Sequence, residues 1–519
     1  MQVNKSYYSI IDIGSNTMRL VVYTQERSLR LHEVENVKAV ARLRNYLDDD
    51  NMLSPAGINM LIRTLNSFRE VVETYELTEF VCVATATIRQ AKNQKEIIEK
   101  VYDEVGWRLR VLSEKEEAYY GYLAVVNSTT IKEGITIDIG GGSTEITYFK
   151  DRKLVDSHSF PFGGLTLKQF FEDNKPTNKS ITKLKHFLKK NFSELDWLQG
   201  KTVPLIGIGG SARNLAQIHQ NMNEYPFAGL HQYLMSGENI EGLCNYLAAF
   251  SEKELEKVEG LSKDRADTIL PASLVFLSLY ETIDAKGFVL SRKGLRDGVF
   301  YEHLANELNE NLYPNVLEDS ILELVYEYNL NLNQIEHITS LTKKLLDELI
   351  KEKIGALQPI DWLHLERGCY VYNLGKYIDS ESSSQHTYYL LANRTIDGLM
   401  HSDRLKMALL ASYKNKSTFE QYVASLDNWL SNQEQDKLCL LGSMLKFTYC
   451  LDATRRQVVQ DFEIEFSKQD IFMKIYCNQD YMPEQYQTEK QKKHLEKTLK
   501  RNIHLDFICQ NTKRKAPGN

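Results

Sequence analysis

YSIIDIGSNTMRLVVYT at residues 8–24 and ITIDIGGGSTEITYF at residues 135–149 follow one pattern. Each alternates apolar residues as a strand does, reaches Asp-Ile-Gly, passes through small polar residues and enters a second strand. The aspartates are Asp12 and Asp138. Gly14, Ser15, Asn16 and Thr17 in the first turn, and Gly140, Gly141, Gly142 and Ser143 in the second, offer bare backbone N–H groups to an anion. The carboxylate at each mouth is placed to hold a cation or orient a water. Turn-forming residues account equally well for the first loop taken alone. In the second, three consecutive glycines weaken the hairpin unless a backbone must approach something closely. Two such hairpins predict two similar lobes facing one phosphate-binding cleft.

A third glycine turn lies in PLIGIGGSARNLAQI (204–218), with Gly209, Gly210 and Ser211 leading straight from a strand into a helix. That order aims a helix N-terminus at a bound anion. In SEKEEAYYGYLAVV (113–126), Ser113 and Glu116 have the spacing of a capping box. Glu117 is then left without a local structural task. It stands in the first helical turn, where the helix dipole favours an ionised carboxylate, and it can accept a proton from water there. A solvated surface glutamate is the plain alternative. Arg89 follows the strand-like run FVCVATA (80–86) and can hold a phosphate through two parallel hydrogen bonds, although a surface role suits it as well.

The remaining signals are organisational. Ser54-Pro55 opens a helix whose apolar positions are Ile58, Leu61, Ile62, Leu65, Phe68 and Val72. RLRVL (108–112) reads as a strand. Past residue 305 glycine becomes sparse and Leu- and Tyr-rich helical patterns dominate to about 455. VVQDFEIEFSKQDIFMKIYC (458–477) reads as a hairpin around Lys468-Gln469-Asp470. The helix EKQKKHLEKTLKR (489–501), the strand IHLDFIC (503–509) and a disordered tail follow. Across 519 residues, 42% are hydrophobic and 26% charged. No run of about 18 apolar residues predicts a membrane span, and the first residues do not read as a signal peptide. Seven scattered cysteines without C-x-x-C predict reduced thiols in a cytoplasmic protein. A net charge of −7 argues against general nucleic-acid binding.

DIGSNTMRL (12–20), TATIRQAKN (85–93), EKEEAYYGY (114–122), DIGGGSTE (138–145), GIGGS (207–211), GLSKDRADTILPAS (260–273) and KGLRDGVFYEHL (293–304) together resemble the exopolyphosphatase and guanosine pentaphosphate phosphohydrolase family. That family lies in the actin, heat-shock-chaperone and sugar-kinase fold group. The resemblance spans about residues 7–304. It implies an α/β protein with two actin-like (ribonuclease-H-like) lobes, 1–124 and 125–304, flanking a phosphate cleft. A helical domain related to His-Asp phosphohydrolases (305–455) and a small α+β domain with the tail (456–519) follow.

It further implies roles. Glu117 matches the catalytic base. Asp12, Asp138 and Glu145 match acidic residues that hold Mg²⁺ or Mn²⁺ or position the attacking water. Gly14, Ser15, Asn16, Arg89, Gly140, Gly141, Gly142, Ser143, Gly209, Gly210 and Ser211 match phosphate contacts, and Arg265 a nucleotide or chain contact. In the helical region, Tyr372-Asn373 stands where a metal-binding His-Asp pair is expected, and His386 alone remains. A second metal centre is therefore not expected there; a homodimer interface and an extension of the substrate channel are. The implied activity is removal of terminal phosphate from inorganic polyphosphate. The alternatives are 5′-hydrolysis of guanosine pentaphosphate, a non-catalytic sensor of guanosine tetraphosphate or polyphosphate, and an ATP-dependent kinase. The sequence identifies no adenine pocket for the last.

Overall fold

The computed structural model describes residues 6–25, 31–171, 176–308, 312, 314–424, 426 and 429–509. The tail expected to be disordered lies outside them. The chain divides into two compact units, Met1–Tyr225 with Gly229–Leu317, and Pro226–Ala228 with Glu318–Asn519.

The first unit holds two sheets built on one plan. In the first, β1 (Ser6–Ile13), β2 (Met18–Gln25), β3 (Leu31–Ala39), β4 (Leu77–Ala84) and β5 (Leu109–Val111) lie in the order β3-β2-β1-β4-β5. β1 runs antiparallel to β2 and parallel to β4. In the second, β6 (Gly134–Ile139), β7 (Thr144–Lys150), β8 (Lys153–Phe160), β9 (Leu205–Ile208), β10 (Leu234–Met235) and β11 (Phe288–Leu290) lie in the order β10-β11-β9-β6-β7-β8. β6 likewise runs antiparallel to β7 and parallel to β9. The two Asp-Ile-Gly turns thus join the corresponding strands of two equivalent sheets, which is the actin-like duplication. β10, antiparallel to β11, is the addition at one edge.

Helices cover the sheets for the reasons their spacing suggests. Pro55–Val72 is capped by Ser54 and buries all six apolar positions named above. Ile269–Ile283 is apolar nearly all round and runs through the core of the second lobe. The helix Glu114–Val126 is buried on several faces: Tyr120 packs with Tyr8, Ile10 and Val83 of the first sheet, and Leu123 and Val126 pack with Phe149, Ile206 and Ile208 of the second. Leu295–Leu308 lies against it so closely that a Cβ on Gly298 would stand 2.0 Å from the Tyr120 carbonyl oxygen. Tyr120 also donates to Glu302 at 2.7 Å. This helix pair seats the N-terminus of Glu114–Val126, and with it Glu117, between the lobes.

The second unit is helical before it ends in a sheet. Leu332–Lys351, Trp362–Tyr370, Ser383–Asn393, His401–Ala411 and Asn432–Cys450 precede β12 (Val459–Phe466), β13 (Asp470–Cys477) and β14 (Asn502–Cys509). The expected hairpin is β12–β13, and β14 joins β13 in parallel. The helix expected over 489–501 is instead two, Met482–Gln491 and Lys493–Leu499, ended by the left-handed Lys500. Tyr372 is buried, donates to the Tyr413 carbonyl at 3.3 Å and packs on Tyr449, while Asn373 adopts a left-handed turn with φ 57°. No helix is long and apolar enough to cross a membrane among the described residues.

Candidate active site

Both Asp-Ile-Gly turns, the third glycine turn and the start of Glu114–Val126 open on one cavity of about 130 Å³. Asp12, Gly14, Ser15, Asn16, Thr17, Glu117, Asp138, Gly140, Gly141, Ser143, Glu145, Ser211 and Arg265 all line it. Residues separated by more than a hundred positions in sequence are therefore neighbours here.

The glycines are explained by what stands beside them. Gly209 is left-handed at φ +80°, and a Cβ there would lie 2.2 Å from Asp138 Oδ1. A Cβ on Gly210 would lie 2.4 Å from Arg265 Nη2, and one on Gly141 3.1 Å from the Ser15 Cβ. The first contact lets the third turn pass under the aspartate. The second admits the Arg265 guanidinium, which donates to Ser211 Oγ at 3.1 Å. The third brings the two hairpin loops together across the cleft. A Cβ on Gly142 would meet nothing within 4 Å, so packing does not require glycine at that position.

Glu116 and Glu117 part company at the helix start. The capping box forms as expected: Ser113 Oγ accepts from Glu116 N–H, and Glu116 accepts from Ser113 N–H. Glu117 points inward and its side chain is 15% exposed. Arg89 does not line the cavity. It stands behind Glu117, donating to Glu117 Oε2 and to the Leu112 carbonyl, each at 2.9 Å. Its Nε and Nη2 atoms are buried without a partner. Burial raises the Glu117 carboxyl; Arg89 pulls it down through charge and hydrogen bond, and Asp138 and Asp12 push it up. The helix dipole alone suggested a readily ionised group, and burial reverses that expectation.

The other acids share this strain. Burial raises Glu145, which also feels Glu117 and Asp138 and accepts from Ser159 Oγ at 3.1 Å. Asp138 is pushed up to about 6, by burial first and then by Asp12 against the pull of Arg265. Burial also raises Asp12, opposed by Arg296 and Arg19. Four desolvated carboxylates around one cavity are a donor set for a hard divalent cation. Asp12, Asp138 and Glu145 do not have their oxygens gathered within 4.8 Å of one another. They fit an ion of the magnesium type, which takes one or two carboxylates and completes its shell with water and substrate phosphate.

Beside the acids is an arginine wall, of which Arg265 alone lines the cavity; the sequence reading missed the other members. Arg296 Nη1 meets Asp12 Oδ2 at 3.4 Å. Arg213 is pushed down to about 10 by burial and by Arg296, Arg19, Arg265 and Arg292. Arg19, Arg213 and Arg296 each fall shortly after a turn or helix start in segments already picked out by pattern. That placement was the available signal. Acids able to hold a cation beside arginines able to hold oxyanions are the chemistry that would suit a metal-complexed phosphate.

The actin-like lobes and this cleft place the chain among phosphate-handling proteins of that fold. The chain belongs to the Ppx/GppA phosphatase family, whose model matches residues 21–307. The model of Ppx/GppA phosphatase domain III matches residues 316–498. The crystal structure of the Aquifex aeolicus Ppx/GppA family member is 27% identical, covers 60% of this chain and 100% of that one, and has a TM-score of 0.53. An exopolyphosphatase from Cytophaga hutchinsonii is 21% identical over 58% of this chain and 98% of its own, with a TM-score of 0.53, a likeness of fold. A bifunctional 3-dehydroquinate synthase/phosphatase of Fusobacterium nucleatum is 25% identical over 311 residues, which are 57% of this chain and 46% of that protein. The match therefore spans less than half of that curated relative.

Proposed function

We propose that the protein is an exopolyphosphatase, hydrolysing the terminal phosphoanhydride bond of inorganic polyphosphate. The observation that carries this reading is the placement of Glu117 in one cavity with three further carboxylates, the glycine loops and Arg265. The backbone N–H groups of the three glycine turns hold the terminal phosphate, and Arg265 and Arg296 neutralise its oxygens. Glu117 accepts a proton from water as that water attacks phosphorus in line. The bond to the bridging oxygen breaks, orthophosphate leaves, and the shortened chain takes up a proton. Mg²⁺ or Mn²⁺ held by Asp12, Asp138 and Glu145 would supply charge neutralisation at the phosphate oxygens. Arg89, behind Glu117, keeps that carboxylate aimed.

Two further proposals belong to the whole chain. Exposed apolar side chains of the second unit, among them Ile360, Tyr377 and Tyr389, support a homodimer. Seven free cysteines accord with a cytoplasmic protein.

The test is phosphate release from long-chain polyphosphate and from guanosine pentaphosphate, measured side by side with Mg²⁺. Polyphosphate should be the better substrate. Glu117→Gln should lose about 10²–10⁴ in rate while still binding chains, the usual cost of a missing general base. Turnover near wild type in that variant would sink the assignment, and a clear preference for the nucleotide would replace polyphosphate as substrate.

A further inference from the structure

Arg265 owes its position to more than its own lobe. It ends a single 3₁₀ turn, Lys263–Arg265, that follows Ser262. On one side this turn is tied to the second lobe: Ser262 N–H donates to Asn214 Oδ1 at 2.6 Å, and Arg265 donates to Ser211 Oγ. On the other side it is gripped from the first lobe, twice, through one residue. Lys38 on β3 places Nζ 2.9 Å from Asp264 Oδ2. Asn16, in the first phosphate loop, directs Nδ2 at the Asp264 carbonyl oxygen at 3.5 Å.

The pair is placed to matter. The Asp264 side chain is only 16% exposed and that of Lys38 34%. Burial pushes the Asp264 carboxyl up, and the hydrogen bond and charge of Lys38, with the charge of Arg265, more than offset it. Lys38 also lies directly opposite Arg19 in the β2–β3 register, so it sits at the edge of the arginine wall. Asp264 thus receives a cation from the far lobe while its neighbour in sequence presents a cation to the cavity.

We infer that Lys38 is a positioning residue, whose ion pair with Asp264 clasps one lobe to the other and fixes the turn that carries Arg265 over the phosphate site. Closing the cleft and setting Arg265 are then one event. Loss of the clasp leaves the catalytic groups intact but lowers the population of the closed, binding-competent cleft, and apparent affinity falls with that population. This inference rests on the reading of the cavity as a phosphate site.

Two measurements on the full chain separate the two ideas. The first is calorimetric titration of inorganic tripolyphosphate with Mg²⁺ in the Glu117→Gln background, which blocks turnover. Lys38→Glu and Asp264→Lys should each weaken binding by about two- to five-fold, the scale of one partly exposed ion pair. The exchanged pair, Lys38→Glu with Asp264→Lys, should recover most of that loss, and Lys38→Arg should bind close to the parent. The second is hydrogen exchange at the amides of residues 262–268, which needs no substrate and should quicken in Lys38→Glu. In the otherwise wild-type enzyme, Lys38→Glu should raise KM and spare kcat. Unchanged exchange and unchanged affinity in Lys38→Glu overturn the clasp, as does an exchanged pair no better than the weaker single variant. A parent chain that binds no tripolyphosphate overturns the phosphate reading, and the inference falls with it.

Discussion

Glu116 and Glu117 are adjacent in sequence and opposite in physics. Glu116 is pushed down to about 2, chiefly by the hydrogen bond from Arg110 and then by those from Ser113, whereas burial raises its neighbour. One residue's step along the helix, roughly 100°, carries the second side chain off the surface and into the cleft. The consequence for stability concerns Glu116. Its folded-state pKa lies below its ordinary 4.5, so its contribution is present above about that value and is lost as pH falls through the folded value. Glu116→Ala should cost about 1 kcal/mol at pH 7, the worth of a cap. The gap from wild type should narrow as pH falls from about 4.5 towards 2. Urea denaturation across that range measures it. A deficit that stays constant down to pH 2 would show that the charge contributes nothing.

The elements show what a sequence states and what it withholds. The hairpins, the Ser54 and Ser113 caps and the third strand-to-helix turn were legible because each is specified within a few residues by turn chemistry and apolar spacing. Arg213, Arg296 and the Lys38–Asp264 pair were not, because folding brings together residues whose own surroundings look like ordinary surface. The raised pKa of Glu117 was equally hidden, since burial is a tertiary property. The third turn offers a sharp contrast between two neighbours. Gly209→Ala must hold a Cβ in the left-handed region and against Asp138 Oδ1. It should lose at least about 1–2 kcal/mol of stability from the backbone alone. Gly210→Ala collides with the tip of the Arg265 side chain, which can swing away. It should fold nearly as well as wild type and lose affinity for tripolyphosphate. Thermal melts beside phosphate-binding titrations distinguish the two. Equal stability in both variants would refute the assignment of the positive-φ constraint.

At the scale of the molecule, the first unit contains everything the proposed chemistry uses. Both sheets, the helix pair between them and the cavity lie within it. A family member matched over its whole length covers only 60% of this chain, which supports folding of that unit alone. The second unit offers something else. Lys446 is pushed down to about 8 by burial and by Lys493 and Lys414, and His494 to about 4 by burial and by Lys446, Lys493 and Lys497. Lysines crowded together in this way would suit a polyanion. A polyphosphate chain releases counterions wherever it is neutralised, so such contacts should be salt-sensitive, as with other polyanions. A chain ending at Leu317 should therefore keep hydrolysis of short polyphosphate and lose its preference for long chains. In the full chain, Lys446→Gln with Lys493→Gln should weaken long-chain affinity and flatten its dependence on salt, with tripolyphosphate turnover unchanged. Rates on tripolyphosphate and on long chains at low and high salt test both statements. A shortened chain that still prefers long polyphosphate would place chain recognition wholly in the first unit, and the lysine cluster would then lack a part in substrate binding.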